Sequence, residues 1–452
     1  MINRDFKEFS YTFLHELRNE VMELELPLPL QDDISVLSSP LILESGNVRW
    51  TVPNRLACHP MEGSDANADG TPGPLTIRRY ERFAAGGAGL IWFEAVAVVP
   101  EGKASARQLA ISEGNVAAFA SIVKRIGDVA AEKFGTARKP LVLMQLTHSG
   151  RFSKPEGTSI PIIACRNPFL DDRCKVDDTT ELITDSELEL LEERFAAAAL
   201  LARQAGFDGV DIKACHRYLA SELLSAYTRF GRYGETYEGR TRFLLNLTDR
   251  IRDACGPDFL LGVRVNLYDG IQYPYGWGVD KDDVGKMDLA EPLRLARQLH
   301  DKGVRLLNAT MGTPYYNPHV NRPYDKGGYQ PKEHPLVGVS RLLEGAAAVA
   351  HAVPGLAVVG TGYTWMRQYA AHLAAGMVSA GNVSLVGFGR EAFAYPDFAR
   401  DILERGGMVK EKCCITCGKC AEILRAGGTA GCVIKDSAVY APIYRECCGT
   451  VV

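Results

Sequence analysis

The sequence predicts an α/β chain built as a closed (β/α)8 TIM barrel, followed by a cysteine-rich segment. Three observations carry this. Eight short β-rich runs lie between residues 50 and 400. Amphipathic helical stretches separate most of them, and strands alternating with helices imply a parallel sheet. No Gly-x-Gly-x-x-Gly follows the first run, so an open doubly wound sheet, the structural alternative, lacks its usual fingerprint. Eight units fit the barrel, which at this length carries loop insertions.

The elements follow in order. Residues 1–37 read as an N-terminal extension, a helix and then a Pro-rich tether (PLPLQDD). The barrel spans 38–408. Its first strands are LACHPM (56–61), GLIWFEAVAV (89–98) and PLVLMQLTHSG (140–150). The clearest helix runs from Thr184 to Arg203. Thr184 is a good N-cap and Glu187 stands three residues on, a capping box. Leu188, Leu191, Phe195, Ala198, Ala199 and Ala202 then form one apolar stripe, and Gly206 ends it. GVDIKAC (209–215) starts at once, which is the βα repeat unit. LLGVRVN (260–266) and RLLNATMG (305–312) come next. The segment 313–335, rich in Pro, Gly, Tyr and Asn, reads as a long loop after the sixth strand. In a barrel it lies at the C-terminal face, where chemistry is done. LAVVGTG (356–362) and VSLVGFG (383–389) complete the eight.

Composition excludes several classes. The 46% hydrophobic content supports a sizeable core, and the net charge of -4 shows no nucleic-acid footprint. No apolar run approaches the ~20 residues of a membrane helix. The charged N-terminus has no signal-peptide core. A cytoplasmic protein is expected, with homo-oligomerisation left open.

Residues 409–452 concentrate the cysteines. Seven of the twelve lie there: Cys413, Cys414, Cys417, Cys420, Cys432, Cys447 and Cys448. The run Cys414-x2-Cys417-x2-Cys420, with Cys432 after eleven more residues, suits four thiolates wrapping one soft metal centre. Short C-x2-C-x2-C runs commonly hold iron–sulfur clusters. A structural zinc also takes four cysteines but usually shows two separated knuckles. The spacing favours a 4Fe-4S cluster, with Cys413 as an alternative to Cys414.

Beyond the cysteines, an ordered set of motifs carries a family resemblance. It comprises Asn54-Arg55, Pro60-Met61, Glu94-Ala95, QLTHSGR (145–151), GFDGVDIKACHRYL (206–219), YGETYEGRTRF (233–243), VRVN (263–266), GTG (360–362) and GFGR (387–390). The chain resembles the Old Yellow Enzyme superfamily of FMN-dependent oxidoreductases, over roughly residues 38–445. It is most similar to the iron–sulfur branch that includes 2,4-dienoyl-CoA reductase and trimethylamine dehydrogenase. The resemblance implies FMN, with Gly360, Gly362, Gly389 and Arg390 at its phosphate. It places Gln145 at the polar edge of the ring, Arg264 near N1, and Pro60, Met61 and Ala95 in loops lining the ring. Glycine lets backbone approach a phosphate, and a helix start favours an anion. Glu62 departs from the family, where many relatives carry Thr or Cys.

The resemblance also implies a catalytic stretch in Lys213, His216 and Tyr218. His216 matches a donor to an activating carbonyl oxygen, and Tyr218 matches a proton donor. Lys213 replaces the first ring donor, and either a substrate carboxylate or a neighbouring acid suits it. Lys213 or Arg217 is expected to lower the Tyr218 pKa. His148 reads as structural, as does Cys58. Tyr315, Tyr316 and His319 fall where relatives place further substrate contacts. Hydride transfer from flavin to an activated C=C of an enoate, enone or enoyl thioester, or the reverse dehydrogenation, is the expected reaction. An amine demethylase is the alternative, though Lys213 would repel a cation. A non-catalytic zinc-stapled barrel subunit is the alternative of another class. Residues after the cysteines carry no second nucleotide-binding fingerprint. The resemblance therefore implies a redox partner such as a ferredoxin, flavodoxin or flavoprotein subunit, or direct reduction by NAD(P)H.

Overall fold

The computed structural model describes residues 4–449. The eight apolar runs become eight parallel strands. A hairpin, β1 (Leu41–Ser45) and β2 (Val48–Val52), precedes them. The barrel strands are β3 (Leu56–Cys58), β4 (Leu90–Ala97), β5 (Leu141–Thr147), β6 (Gly209–Ala214), β7 (Leu260–Tyr268), β8 (Leu306–Met311), β9 (Ala357–Gly360) and β10 (Leu385–Phe388). They pair in chain order, and β10 closes on β3. This is the (β/α)8 TIM barrel.

Each strand is buried on both faces, which is why it reads as a continuous apolar run. Outward residues pack under the helices. Inward residues of the lower half, Ala57, Leu90, Trp92, Leu143, Leu260, Leu306, Val359 and Leu385, form a separate apolar plug, which Leu43 and Val52 of the hairpin cover. The opposite end, at the strand C-termini, stays polar and open. The helix Asp185–Gln204 has the expected capping box, with Glu187 N donating to Thr184 Oγ1 at 3.2 Å and Thr184 N donating to Glu187 Oε2 at 2.7 Å.

The N-terminal extension differs from the tether expected of it. The helix Leu14–Glu23 buries Leu17 and Val21, and the chain after it stays packed, burying Leu28 and Leu37. Phe9 N donates to Asp325 Oδ1 at 3.1 Å, and Trp365 Nε1 donates to the same oxygen at 2.7 Å. Asp325 N in turn donates to Thr416 Oγ1 at 3.1 Å. One residue, through its carboxylate and its backbone N–H, therefore ties the N-terminus and the segment after β9 to the cysteine segment. Apolar side chains on the extension drive this packing, and proline does not prevent it.

Candidate active site

Period-two alternation sorts each strand. In β6, Val210 and Ile212 face the helices, while Asp211 and Lys213 face the barrel axis. By the same parity Gln145, Arg264 and Asn308 stand inward, and Met144, Val263 and Leu307 outward. The sequence thus ends an apolar barrel in a layer of polar side chains below its mouth.

Above that layer lies a cavity of about 190 Å³. Pro60, Met61, Lys213, His216, Tyr218, Arg264, Gly362, Gly389 and Arg390 all line it, so residues from five parts of the chain meet in one place. Ala95, Gln145 and Gly360 do not line it. Ala95 is buried in β4, where its carbonyl accepts from Gln108 Nε2 at 3.1 Å. Gln145 Nε2 donates to Asp211 Oδ2 at 2.6 Å. Gly360 ends β9, and a Cβ there would meet the Tyr363 hydroxyl at 2.7 Å.

Lys213 takes the neighbouring acid. Its ammonium pairs with Glu62 and lies 3.6 Å from the Tyr218 ring centroid. The Tyr218 hydroxyl donates to Glu62 Oε1 at 3.4 Å and lies 3.0 Å from the Tyr315 hydroxyl. The expectation of a lowered Tyr218 pKa is corrected. Burial, then the Glu62 charge and Tyr315, push it well above 10. Arg217 supplies no cation there, because it is wholly buried and donates to Asp269 Oδ2 at 2.8 Å.

His216 is held in a left-handed backbone conformation (φ 61°), as is Arg217 (φ 65°). Non-glycine residues rarely adopt it, and the surroundings must enforce it. His216 N donates to Asn266 Oδ1 at 3.2 Å, and Thr313 Oγ1 donates to His216 O at 3.1 Å. The Asn321 amide sits 2.9 Å from His216 Nε2. Burial and the Arg264 and Lys213 charges hold the ring's pKa well below 6.5, so the imidazole is neutral. With Nε2 accepting from Asn321, the proton belongs on Nδ1.

Tyr315 joins the site, whereas Tyr316 and His319 lie off it, His319 bonding Tyr329. His148 is buried and accepts from Gly150 N at 3.1 Å, a structural role. Cys58 is buried in β3, and burial raises its pKa.

The cysteine segment closes over one side of the mouth. Ala430 N donates to Gly63 O at 2.7 Å and Arg78 Nη1 to Asp436 Oδ2 at 2.7 Å. Cys414, Cys417, Cys420 and Cys432 line a second, small cavity of about 20 Å³, and Cys413 is not among its lining residues. Cys413 instead donates to Val409 O at 3.4 Å. Backbone N–H groups point at the thiols. Thr416 N lies 3.4 Å from Cys414 Sγ, and Lys435 N lies 3.3 Å from Cys432 Sγ. Among the described residues no three His, Cys, Asp or Glu side chains are set to hold a single ion. Arg390, Phe393 and Cys420 border both cavities.

Sequence reasoning missed His59, Asn321, Arg322 and Arg425 as lining or supporting residues. Only His59 carried a signal, as a polar residue ending an apolar run just before Pro60-Met61. His59 Nδ1 lies 3.0 Å from Asn308 Nδ2, and its ring fills the space a Cβ on Gly387 would need.

A parallel eight-stranded barrel with a polar, cation-lined mouth built from strand ends defines a barrel enzyme site. Comparison with known proteins narrows the class. Residues 43–294 match the NADH:flavin oxidoreductase / NADH oxidase family, and the chain belongs to it. It is 31% identical over 267 residues to an NADPH dehydrogenase of Halalkalibacterium halodurans, covering 58% of this chain and 70% of that one. It is 26% identical over 424 residues to an NADH oxidase of Thermoanaerobacter brockii, covering 89% of this chain but only 58% of that protein. The fold is similar to that of morphinone reductase (TM-score 0.61, 22% identity, 84% of this chain and 92% of that one). It is also similar to a 2-naphthoyl-CoA reductase (TM-score 0.63, 20% identity), of whose chain 54% is covered. The protein is an FMN-dependent oxidoreductase. No helix among the described residues is long and apolar enough to cross a membrane.

The residues present fit FMN. Arg264 lines the cavity with its Nε buried and without a hydrogen-bond partner. Gly389 and Gly362 also line it. A Cβ on Gly389 would stand 2.8 Å from Met61 Sδ, and Gly362 (φ 106°) holds a conformation that a side chain disfavours.

Proposed function

We propose that this protein is an ene-reductase that uses FMN and a 4Fe-4S cluster to reduce an activated C=C, or runs the reverse dehydrogenation. The observation that carries the reading is the sharing of Arg390, Phe393 and Cys420 between the two cavities, which makes the barrel mouth and the four thiols neighbours. FMN would supply hydride chemistry and the cluster one-electron transfer.

The chain's own groups then divide the work. Gly362, Gly389 and Arg390 would hold the phosphate, with Arg390 adding a charge-assisted contact. Arg264 would supply a fixed positive charge to a reduced, negatively charged ring. Pro60 and Met61 shape the wall, and Ala95, Gln145 and Gly360 support it from the strands behind. His216 presents its Nδ1 proton to the activating oxygen, a preorganised donor that needs no reorientation. Tyr218 delivers the proton to carbon. Lys213 fixes Glu62 and the Tyr218 ring, so it positions the donor. Cys414, Cys417, Cys420 and Cys432 would ligate the cluster. Four thiols spread around a cavity, with N–H groups aimed at sulfur, suit a cluster better than a single zinc ion.

An amine-oxidising reading is disfavoured, because the lining carries five cations and Glu62 as its one acid. Electrons would enter from NAD(P)H at the mouth or from a redox protein at the cysteine segment. Anaerobic mixing of dithionite-reduced protein with enones, enoates and enoyl thioesters tests the reading. Oxidation by at least one class is expected, and trimethylamine should not reduce the oxidised protein. Reduction of the oxidised protein by trimethylamine, with no alkene oxidising the reduced protein, would overturn it.

A further inference from the structure

The charges on the mouth do not balance, and two of them have no task. Lys213, Arg264, Arg322, Arg390 and Arg425 line the cavity against the single acid Glu62. Lys213 occupies that acid. The cofactor reading above employs Arg264 and Arg390, and Arg390 Nη2 also donates to Pro323 O at 2.8 Å. Arg322 and Arg425 are left over.

Arg322 stands on the loop after β8, next to Asn321, whose amide contacts His216 Nε2. Its side chain makes no hydrogen bond or ion pair with any described residue, though it is partly buried. Burial, and then the charges of Arg390 and Arg425, push its pKa down to about 10, so the guanidinium remains charged. It acts electrostatically on both His216 and Tyr315. Leaving a charge half-buried with no counter-ion is costly, and a ligand anion removes that cost. A guanidinium offers a planar fork of N–H donors that matches a carboxylate.

We propose that Arg322, assisted by Arg425 at the rim, is a subsite for the carboxylate of the substrate. The site then selects an α,β-unsaturated acid over its neutral ester or ketone. The assignment rests on the reading of this cavity as the ene-reductase site. Arg322 follows Asn321, whose amide contacts His216, and the Arg322 and His216 side chains line the same cavity. With Lys213 paired to Glu62, and Arg264 and Arg390 given to the cofactor, Arg322 is the cation left on the loop that carries Asn321.

Calorimetric titration of the oxidised holoenzyme with cinnamate and methyl cinnamate tests this without turnover. Cinnamate should bind at least ~10-fold tighter than the ester. Arg322→Gln should weaken cinnamate by ~10–100-fold, the range for a charged hydrogen bond, and leave the ester within about twofold. Arg322→Lys should keep part of the preference, and Arg425→Gln should lose about two- to fivefold. Equal affinity of wild type for acid and ester overturns the proposal, as does an unchanged preference in Arg322→Gln. Loss of FMN from Arg322→Gln with the preference intact assigns Arg322 to the cofactor phosphate and also overturns it. Inorganic phosphate displacing cinnamate at lower concentration than acetate does would replace carboxylate by phosphate and overturn the class. If Arg322→Gln does not fold, the wild-type preference and Arg425→Gln decide. Tight cinnamate binding to protein that no alkene oxidises would refute the ene-reductase reading alone and leave the subsite standing.

Discussion

Tyr218→Phe isolates the proton donor. The change removes one oxygen from a buried pair and keeps the ring. Lys213 therefore keeps its face contact at 3.6 Å and its ion pair with Glu62. The Tyr315 hydroxyl loses a partner at 3.0 Å, and Glu62 loses one at 3.4 Å. Stability should fall by only about 1 kcal/mol, the net worth of such a bond. Transition-state loss is larger. A positioned general acid contributes ~10²–10⁴-fold, or ~2.7–5.5 kcal/mol of barrier. Anaerobic stopped-flow separates the half-reactions. Reduction of the oxidised variant should match wild type, while oxidation by an alkene should slow by that factor. Because burial and Glu62 raise the phenol's pKa above 10, the acid form persists as pH rises. Wild-type oxidation should therefore be flat from about pH 6 to 9 with respect to this group. An alkene oxidation rate in Tyr218→Phe equal to wild type would refute the assignment, and Tyr315 would be the next donor to test.

Three further outcomes are expected. Glu62→Gln strands the Lys213 ammonium, whose side chain is 5% exposed, and should cost about 3 kcal/mol in chemical denaturation; adding Lys213→Met should restore most of it. Recovery failing to appear would mean the pair contributes little to folding. Thr184→Ala removes a side-chain cap far from the mouth and should lower stability by about 1 kcal/mol with unchanged turnover, read by denaturation and steady-state assay. Cys432→Ser should lose bound iron, whereas Cys413→Ser should retain it, read by metal analysis after anaerobic purification; the reverse pattern would exchange their roles.

The barrel was legible because parallel strands are buried on both faces, so each of the eight stands out as an apolar run bounded by turn residues. The hairpin Leu41–Val52 escaped because its two five-residue strands are half exposed and lack such runs. The extension's packing escaped for a similar reason: its apolar residues are spaced among charges, and their partners around Trp365 lie more than 300 positions away. Within the site, glycines and strand-end residues were readable, since their task is set by local geometry. Pairings were not. Glu62 and Lys213 each depart from the family pattern, yet 151 positions separate them, and only the fold shows that one departure answers the other. The direction of the Tyr218 shift failed for the same reason. The sequence places Lys213 and Arg217 nearby but shows neither the burial of the phenol nor the approach of Glu62, and these two raise the pKa despite a cation stacked on the ring face.

The central claim is that one chain holds FMN in the barrel mouth beside a 4Fe-4S cluster on Cys414, Cys417, Cys420 and Cys432. Cofactor and metal analysis of anaerobically purified protein tests it most directly. Acid precipitation should release FMN at one per chain, and iron and acid-labile sulfide should each approach about four per chain. Stoichiometric zinc without iron, or FAD in place of FMN, would contradict it.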